Sequence, residues 1–187
     1  MKILVAHNRY QISGGEDSVL ASETHLMRGK GCEVTNYSLN NDHINSKFEK
    51  LKTAIEVIFS FRQFYTITNQ LKDKKPDIVH VHNYFPLISP SIFYACNRSK
   101  IPVVHTLHNY RAVCPTALLM HDGKVNERSL IGSSWWTISK KVYRQSRLGT
   151  LALVLMVELH KQLGTWQAKV DRYIALTEFA RIKYIEA

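Results

Sequence analysis

The sequence is short of cysteine. Its three, Cys32, Cys96 and Cys114, lie far apart with no C-x-x-C pair, which argues against a disulfide framework or a cysteine-rich zinc site and fits a reducing cytoplasm. Long hydrophobic runs are missing too. The longest, Leu151 to Val157, falls far below the ~18–20 residues of a membrane span. The apolar opening breaks at His7 and Asn8, too early for a secretory signal and its cleavage site. Eight glycines include neither a G-x-G-x-x-G nor the Gly-Lys-Ser/Thr of a P-loop, which disfavours dinucleotide binding by the usual fingerprint and P-loop chemistry. No acid lies between Glu127 and Glu158.

What is present describes one ordinary domain, or one large lobe of something bigger. The 187 residues are 45% hydrophobic and 21% charged, enough to bury about 70% of the unfolded chain's surface without staples. Net charge is +10, which suggests a polyanionic partner: nucleic acid, anionic lipid or a phosphate-bearing ligand. Residues 127–187 carry ten basic and five acidic side chains. Arg128, Lys140, Lys141, Arg144 and Arg147 fall there beside Trp135, Trp136 and Tyr143.

The order of patterns alternates strand and helix. Lys2 to Ala6 reads as a buried strand, His7 to Gly15 as a polar loop, and the stretch from Glu16 to Gly29 as a helix with Glu16 and Asp17 in its first turn. A strand over Cys32 to Tyr37 precedes a mostly helical stretch, Asn40 to Lys75, with the stripe Phe48, Leu51, Ile55, Ile58 and Phe59. Asp77 to His82 is a third strand, Ser89 to Asn97 a helix, and Pro102 to Thr106 a fourth strand. Asp122-Gly123 centres a small hairpin within Ala117 to Val125. Helices are expected over Ser134 to Arg147 and Leu148 to Leu163. Arg172 to Leu176 is a last strand, and Thr177 caps a helix from Glu178. The chain stops inside that helix without a stop signal, which reads as a truncation. The fold class is therefore α/β, a doubly wound parallel sheet whose ligands sit at the carboxyl ends of the strands.

Three places carry chemistry. In Ser13-Gly14-Gly15-Glu16-Asp17, glycine lets backbone N–H groups approach a phosphate at a helix N-terminus; a tight turn needing glycine is the competing reading. His80 and His82 are expected on opposite faces of their strand, unable to chelate one ion. His105 and His108, across the fourth strand's exit, lack nearby carboxylates for a zinc site. His108 is the better substrate-binding imidazole, with a structural histidine as the alternative. On a helix, Lys140, Arg144 and Arg147 would share a face beside Trp135, suited to an anionic membrane surface or to plain solvation.

Four blocks, HNRYQISGGED, PDIVHVHNYFPLISPSI, IPVVHTLHNYRAVCP and LGTW…VDRYIALTEFAR, together resemble the N-terminal domain of GT-B fold glycosyltransferases of family 4, the group 1 type. The resemblance covers nearly the whole chain. It implies a Rossmann-like lobe on the acceptor side of a two-lobed enzyme, residues 1–187, with the donor-binding lobe outside this sequence. That enzyme would move a sugar from a nucleotide-diphosphate donor to a glycan or lipid-linked acceptor, usually with retention, without metal or other cofactor. Gly14, Gly15 and Glu16 then match the donor-phosphate or sugar turn, and His108 the catalytic histidine near the donor sugar. Asn83, Asn109, Tyr110 and Arg111 would shape the acceptor pocket, and Thr177 and Glu178 face the cleft. Relatives of this subgroup carry further cysteines after Cys114, where this chain has Asn126, Ser129 and Val142. The basic aromatic stretch would meet a membrane-borne acceptor. The alternatives are a nucleic-acid-binding module, for which no RRM, KH, helix-turn-helix or zinc-finger signature is present, and a non-catalytic acceptor-binding lobe. By itself the chain is expected to be inactive.

Overall fold

Buried strands that are apolar on both faces need helices on both sides, and the chain supplies them in alternation. The structure, a computed structural model, describes residues 1–9, 14–41 and 46–187. Its elements are β1 (Lys2–Arg9), α1 (Gly15–Gly29), β2 (Glu33–Asn40), α2 (Lys47–Glu56), α3 (Phe61–Lys74), β3 (Ile78–Asn83), α4 (Ser91–Ser99) and β4 (Val103–Leu107). Then follow β5 (Met120–His121), β6 (Lys124–Val125), α5 (Arg128–Ile131), α6 (Trp136–Ser139), α7 (Arg147–Gln162), α8 (Thr165–Ala168), β7 (Arg172–Ala175) and α9 (Glu178–Glu186). They form two compact units, Met1–Thr106 with Lys169–Ile174, and Leu107–Ala168 with Ala175–Ala187.

The first unit is built on a five-stranded sheet in the order β2-β1-β3-β4-β7. β1 pairs in parallel with β2 and β3, and β3 with β4. On one face, Leu20 and Met27 of α1 pack on Ile3, Val5, Val34 and Ile78. On the other, Phe93 of α4 meets the His105 ring at 5.4 Å. This is a Rossmann-like, doubly wound α/β fold, and the strand order reverses between β1 and β3. Ligands in such sheets enter outside the carboxyl ends of the strands at that reversal.

Several boundaries differ from the sequence reading. β1 continues past Ala6 to Arg9, in register with Asn40 of β2: His7 and Asn8 are fully buried, with His7 Nε2 held by Asp17 and the Asn8 amide by Asn41 and Leu87. Where the sequence reading had one mostly helical stretch from Asn40 to Lys75, the described residues form two helices, α2 and α3, each started by a serine: Ser46 accepts from Glu49 N–H at 3.1 Å, Ser60 from Gln63 N–H at 3.3 Å. Of the expected stripe, Phe48, Leu51 and Ile55 are exposed. Ile67 and Leu71 of α3 provide the buried contacts instead. Ser13 of the glycine turn lies outside the described residues.

In the second unit, the Asp122-Gly123 hairpin forms as read. Both residues have positive φ, 49° and 71°, as a two-residue I′ turn between twisted strands requires. The helix expected over Ser134 to Arg147 does not form. α6 is four residues long, and Lys141, Arg144 and Gln145 adopt left-handed φ of 49°, 51° and 54°, which no continuous helix of L-residues tolerates. Ser146 restarts the chain by capping α7, accepting from Gly149 N–H at 3.1 Å. Lys140, Arg144 and Arg147 therefore share no helical face.

Candidate functional site

At the carboxyl end of β1 the chain turns into α1 through Gly14, the N-cap. Gly14 is extended (φ −131°, ψ −172°), and its N–H donates to Asp17 Oδ2 at 2.9 Å. Asp17 Oδ1 lies 3.0 Å from His7 Nε2, so one carboxylate joins strand, turn and helix. Burial holds the His7 imidazole below its ordinary range, against the upward pull of Asp17. Neither Gly14 nor Gly15 has a left-handed φ, and a Cβ at either would meet nothing within 4 Å. The turn itself does not demand glycine. What two glycines leave is bare backbone at the positive end of a fifteen-residue helix, the arrangement that accepts an anion. Glu16 follows in the first turn, half-buried.

Asn8 and Asn83 fix the neighbouring strand ends. Asn8 donates to Asn41 Oδ1 at 2.8 Å and accepts from Leu87 N–H at 3.0 Å. Asn83 donates to the Asn8 carbonyl at 3.0 Å and accepts from Phe85 N–H at 2.9 Å. Asn83, assigned from sequence to an acceptor pocket, is buried, with one end of its amide bonded to β1 and the other to the loop after β3.

In the second unit, His108 follows β4 and opens a half-buried loop with Asn109, Tyr110 and Arg111. Asn109 Oδ1 accepts from Arg111 N–H at 3.0 Å, and the Asn109 carbonyl accepts from the Tyr184 hydroxyl at 2.5 Å. The Tyr110 ring stacks on Tyr184, centroids 5.5 Å apart. Arg111 donates to the Pro115 carbonyl and lies over the Tyr143 ring at 5.7 Å. Tyr184 belongs to α9, so the loop is anchored on the helix that Thr177 begins. Thr177 Oγ1 caps it, accepting from Ala180 N–H at 3.0 Å, and Glu178 pairs with Arg181 at 2.5 and 2.8 Å. The Arg181 guanidinium holds the Glu178 carboxyl below its usual range. Trp135, Lys140, Arg144 and Arg147 are all exposed.

Sequence reasoning missed a polar cluster on the α1 side of the sheet. His80 and His82 do not point to opposite faces: residues two apart in a strand share one face, and their rings lie 4.2 Å apart. Glu23 of α1 faces both, its Oε2 3.5 Å from His82 Nε2 and 3.9 Å from His80 Nδ1. The period-two spacing of the histidines was the available signal. His105 points the other way, among Tyr84, Phe93 and Tyr173 at 5.4–5.8 Å between centroids.

The five-stranded parallel sheet flanked by helices, with a glycine-opened helix after β1, defines a Rossmann-like α/β lobe. The sequence model of Glycosyltransferase Family 4 matches residues 13–186, and the chain belongs to that family, as its four sequence blocks suggested. An "Uncharacterized 42.6 kDa protein in cps region" of Klebsiella pneumoniae is 25% identical over 130 residues, covering 70% of this chain and 28% of its own. The solved structure of UDP-GlcNAc 2-epimerase from Methanocaldococcus jannaschii aligns over 99% of this chain and 42% of its own, with a TM-score of 0.48 and 12% identity. The chain thus spans less than half the length of either protein.

Proposed function

We propose that this lobe forms the acceptor side of a glycosyltransferase that moves a sugar from a nucleotide-diphosphate donor to a glycan or lipid-linked acceptor. The observation that carries this reading is the Gly14-Gly15 opening of α1 in a family 4 lobe: glycine where neither backbone nor packing requires it. Backbone without side chains there leaves room for the donor diphosphate or the transferring sugar to come close to the start of α1. In the step proposed, the bond from the anomeric carbon to the diphosphate oxygen breaks as a bond to the acceptor hydroxyl oxygen forms on the same face, with retention, the hydroxyl proton passing to the departing diphosphate. His108 assists beside the donor sugar, and the rest of catalysis is positioning and charge stabilisation. The reaction uses no cofactor; the nucleotide sugar is a co-substrate.

Asn109, Tyr110 and Arg111, anchored on α9, shape the acceptor side. The protein works in the cytoplasm, and its exposed Trp135, Lys140, Arg144 and Arg147 support approach to an anionic membrane carrying the acceptor. No helix among the described residues is long and apolar enough to cross a membrane. The lobe alone is inactive and works when joined to a donor-binding lobe.

The test uses the longest natural protein containing this lobe, a panel of nucleoside-diphosphate hexoses and a lipid-phosphate acceptor, with the anomeric configuration of the product read by NMR. Acceptor-dependent release of nucleoside diphosphate, falling ~10²-fold or more in His108→Ala, is the expected result. Equal transfer by His108→Ala, or epimerised sugar as the sole product, would overturn it.

A further inference from the structure

The Glu23, His80 and His82 cluster is not used by the transfer step proposed above, and it has the composition and geometry of a metal site. Glu23, His80 and His82 each offer one ligand atom, and the three lie within 4.8 Å of one another. The carboxylate oxygen is 3.5 Å from His82 Nε2 and 3.9 Å from His80 Nδ1. Ligands held at ~2.0–2.1 Å by one tetrahedral ion sit roughly 3.4 Å apart; the two carboxylate–imidazole separations are already near that, and the imidazole pair, within 4.8 Å, must draw together to share a centre.

The rigidity of the site comes from the sheet. His80 and His82 stand on one face of β3 with rings 4.2 Å apart, and both are buried. The far nitrogen of His80, Nε2, is 2.7 Å from the Thr106 hydroxyl of β4. When Nε2 carries the proton and donates it to Thr106, Nδ1 presents its lone pair toward Glu23. This is the second-sphere arrangement that orients metal-binding imidazoles. Glu23 comes from α1, its side chain about one-third exposed (32%), so the cluster has an approach from solvent. Burial also raises the Glu23 carboxyl pKa, a cost to its charged form that a bound cation offsets.

We propose that Glu23, His80 and His82 bind a divalent first-row transition metal, zinc foremost. Two imidazoles and one carboxylate suit zinc, cobalt, nickel or ferrous iron and disfavour cuprous copper, which wants thiolates or thioethers. The metal joins α1 to the centre of the sheet. Its role is to hold the helix that carries the Gly14-Gly15 opening, and the sugar-transfer step does not pass through it.

The test is titration of the metal-stripped, full-length chain with Zn²⁺ by calorimetry and with Co²⁺ by visible absorption. One equivalent should bind, and the melting temperature should rise with metal concentration. Glu23→Gln, a near-isosteric change at a partly exposed position, should weaken binding at least tenfold with an unchanged circular dichroism spectrum. Thr106→Val should weaken it ~10–100-fold while leaving all three ligands in place. Absence of saturable binding by the folded wild-type chain overturns the proposal. So does Glu23→Gln binding as tightly as wild type, or a cobalt complex with a thiolate charge-transfer band, which would place the ion on a cysteine. Loss of sugar transfer with metal binding intact would count against the transferase reading alone.

Discussion

Gly14 and Gly15 sit in conformations that any residue can adopt, with open space where side chains would go. Gly15→Ala should therefore leave stability unchanged or raise it by up to about 1 kcal/mol, since alanine loses less backbone entropy in a helix. Chemical denaturation checks this. The same change should lower donor-dependent transfer by the longer protein, because the methyl group stands where a diphosphate would approach. The glycine pair was legible in the sequence. The carboxylate that binds its N–H was read only as a favourable charge in the first turn, since the link from Asp17 to His7 spans a fold contact that local spacing does not encode. The cysteines offer a separate check. Burial pushes the Cys96 thiol up to about 12, and Cys114 is also buried, whereas Cys32 is half-exposed. Iodoacetamide on the native chain should modify Cys32 alone, with Cys96 and Cys114 reacting only after unfolding, as peptide mass spectrometry would show.

At the scale of elements, strand ends and helix starts are held by side chains whose loss has a definite cost. Asn8→Ala removes the acceptor of the half-buried Leu87 N–H and the donor to the buried Asn41, and should cost about 1–3 kcal/mol in urea unfolding. Thr177→Ala removes an exposed cap from α9 and should cost about 1 kcal/mol. The order of strands and helices was legible because it rests on hydrophobic period, and the hairpin because Asp-Gly has a specific turn chemistry. The extension of β1 to Arg9 was not. Histidine and asparagine read as loop residues until a partner such as Asn41 turns them into core. The break between α6 and α7 was equally hidden: polar residues such as Lys141 and Gln145 have ordinary helix propensity, yet both adopt left-handed φ.

For the whole molecule, the +10 charge includes five Lys and Arg residues in an acid-free stretch, residues 128–157. Vesicle flotation should show binding that requires anionic lipid and falls with salt, and substitution of Lys140, Arg144 and Arg147 by glutamine should reduce it several-fold. Binding to neutral vesicles alone, or none, would remove the membrane from the proposed function. The family and the sheet could be read from the sequence because their signals are spread over the full length. The Glu23, His80 and His82 cluster could not, since it depends on α1 folding over β3.

The sheet's last strand has a consequence for how the protein is made. β7 lies beside β4, and Asp171 accepts from Val103 N–H at 2.8 Å, yet about sixty residues of the second unit separate the two strands. At about 5–20 residues per second, the ribosome needs several seconds to deliver β7 after β4 has emerged. During that interval β4 is an unprotected sheet edge, open to pairing with a neighbouring nascent chain. Synthesis that stalls before Lys169 would leave that edge exposed for good, making the stalled product the aggregation-prone species.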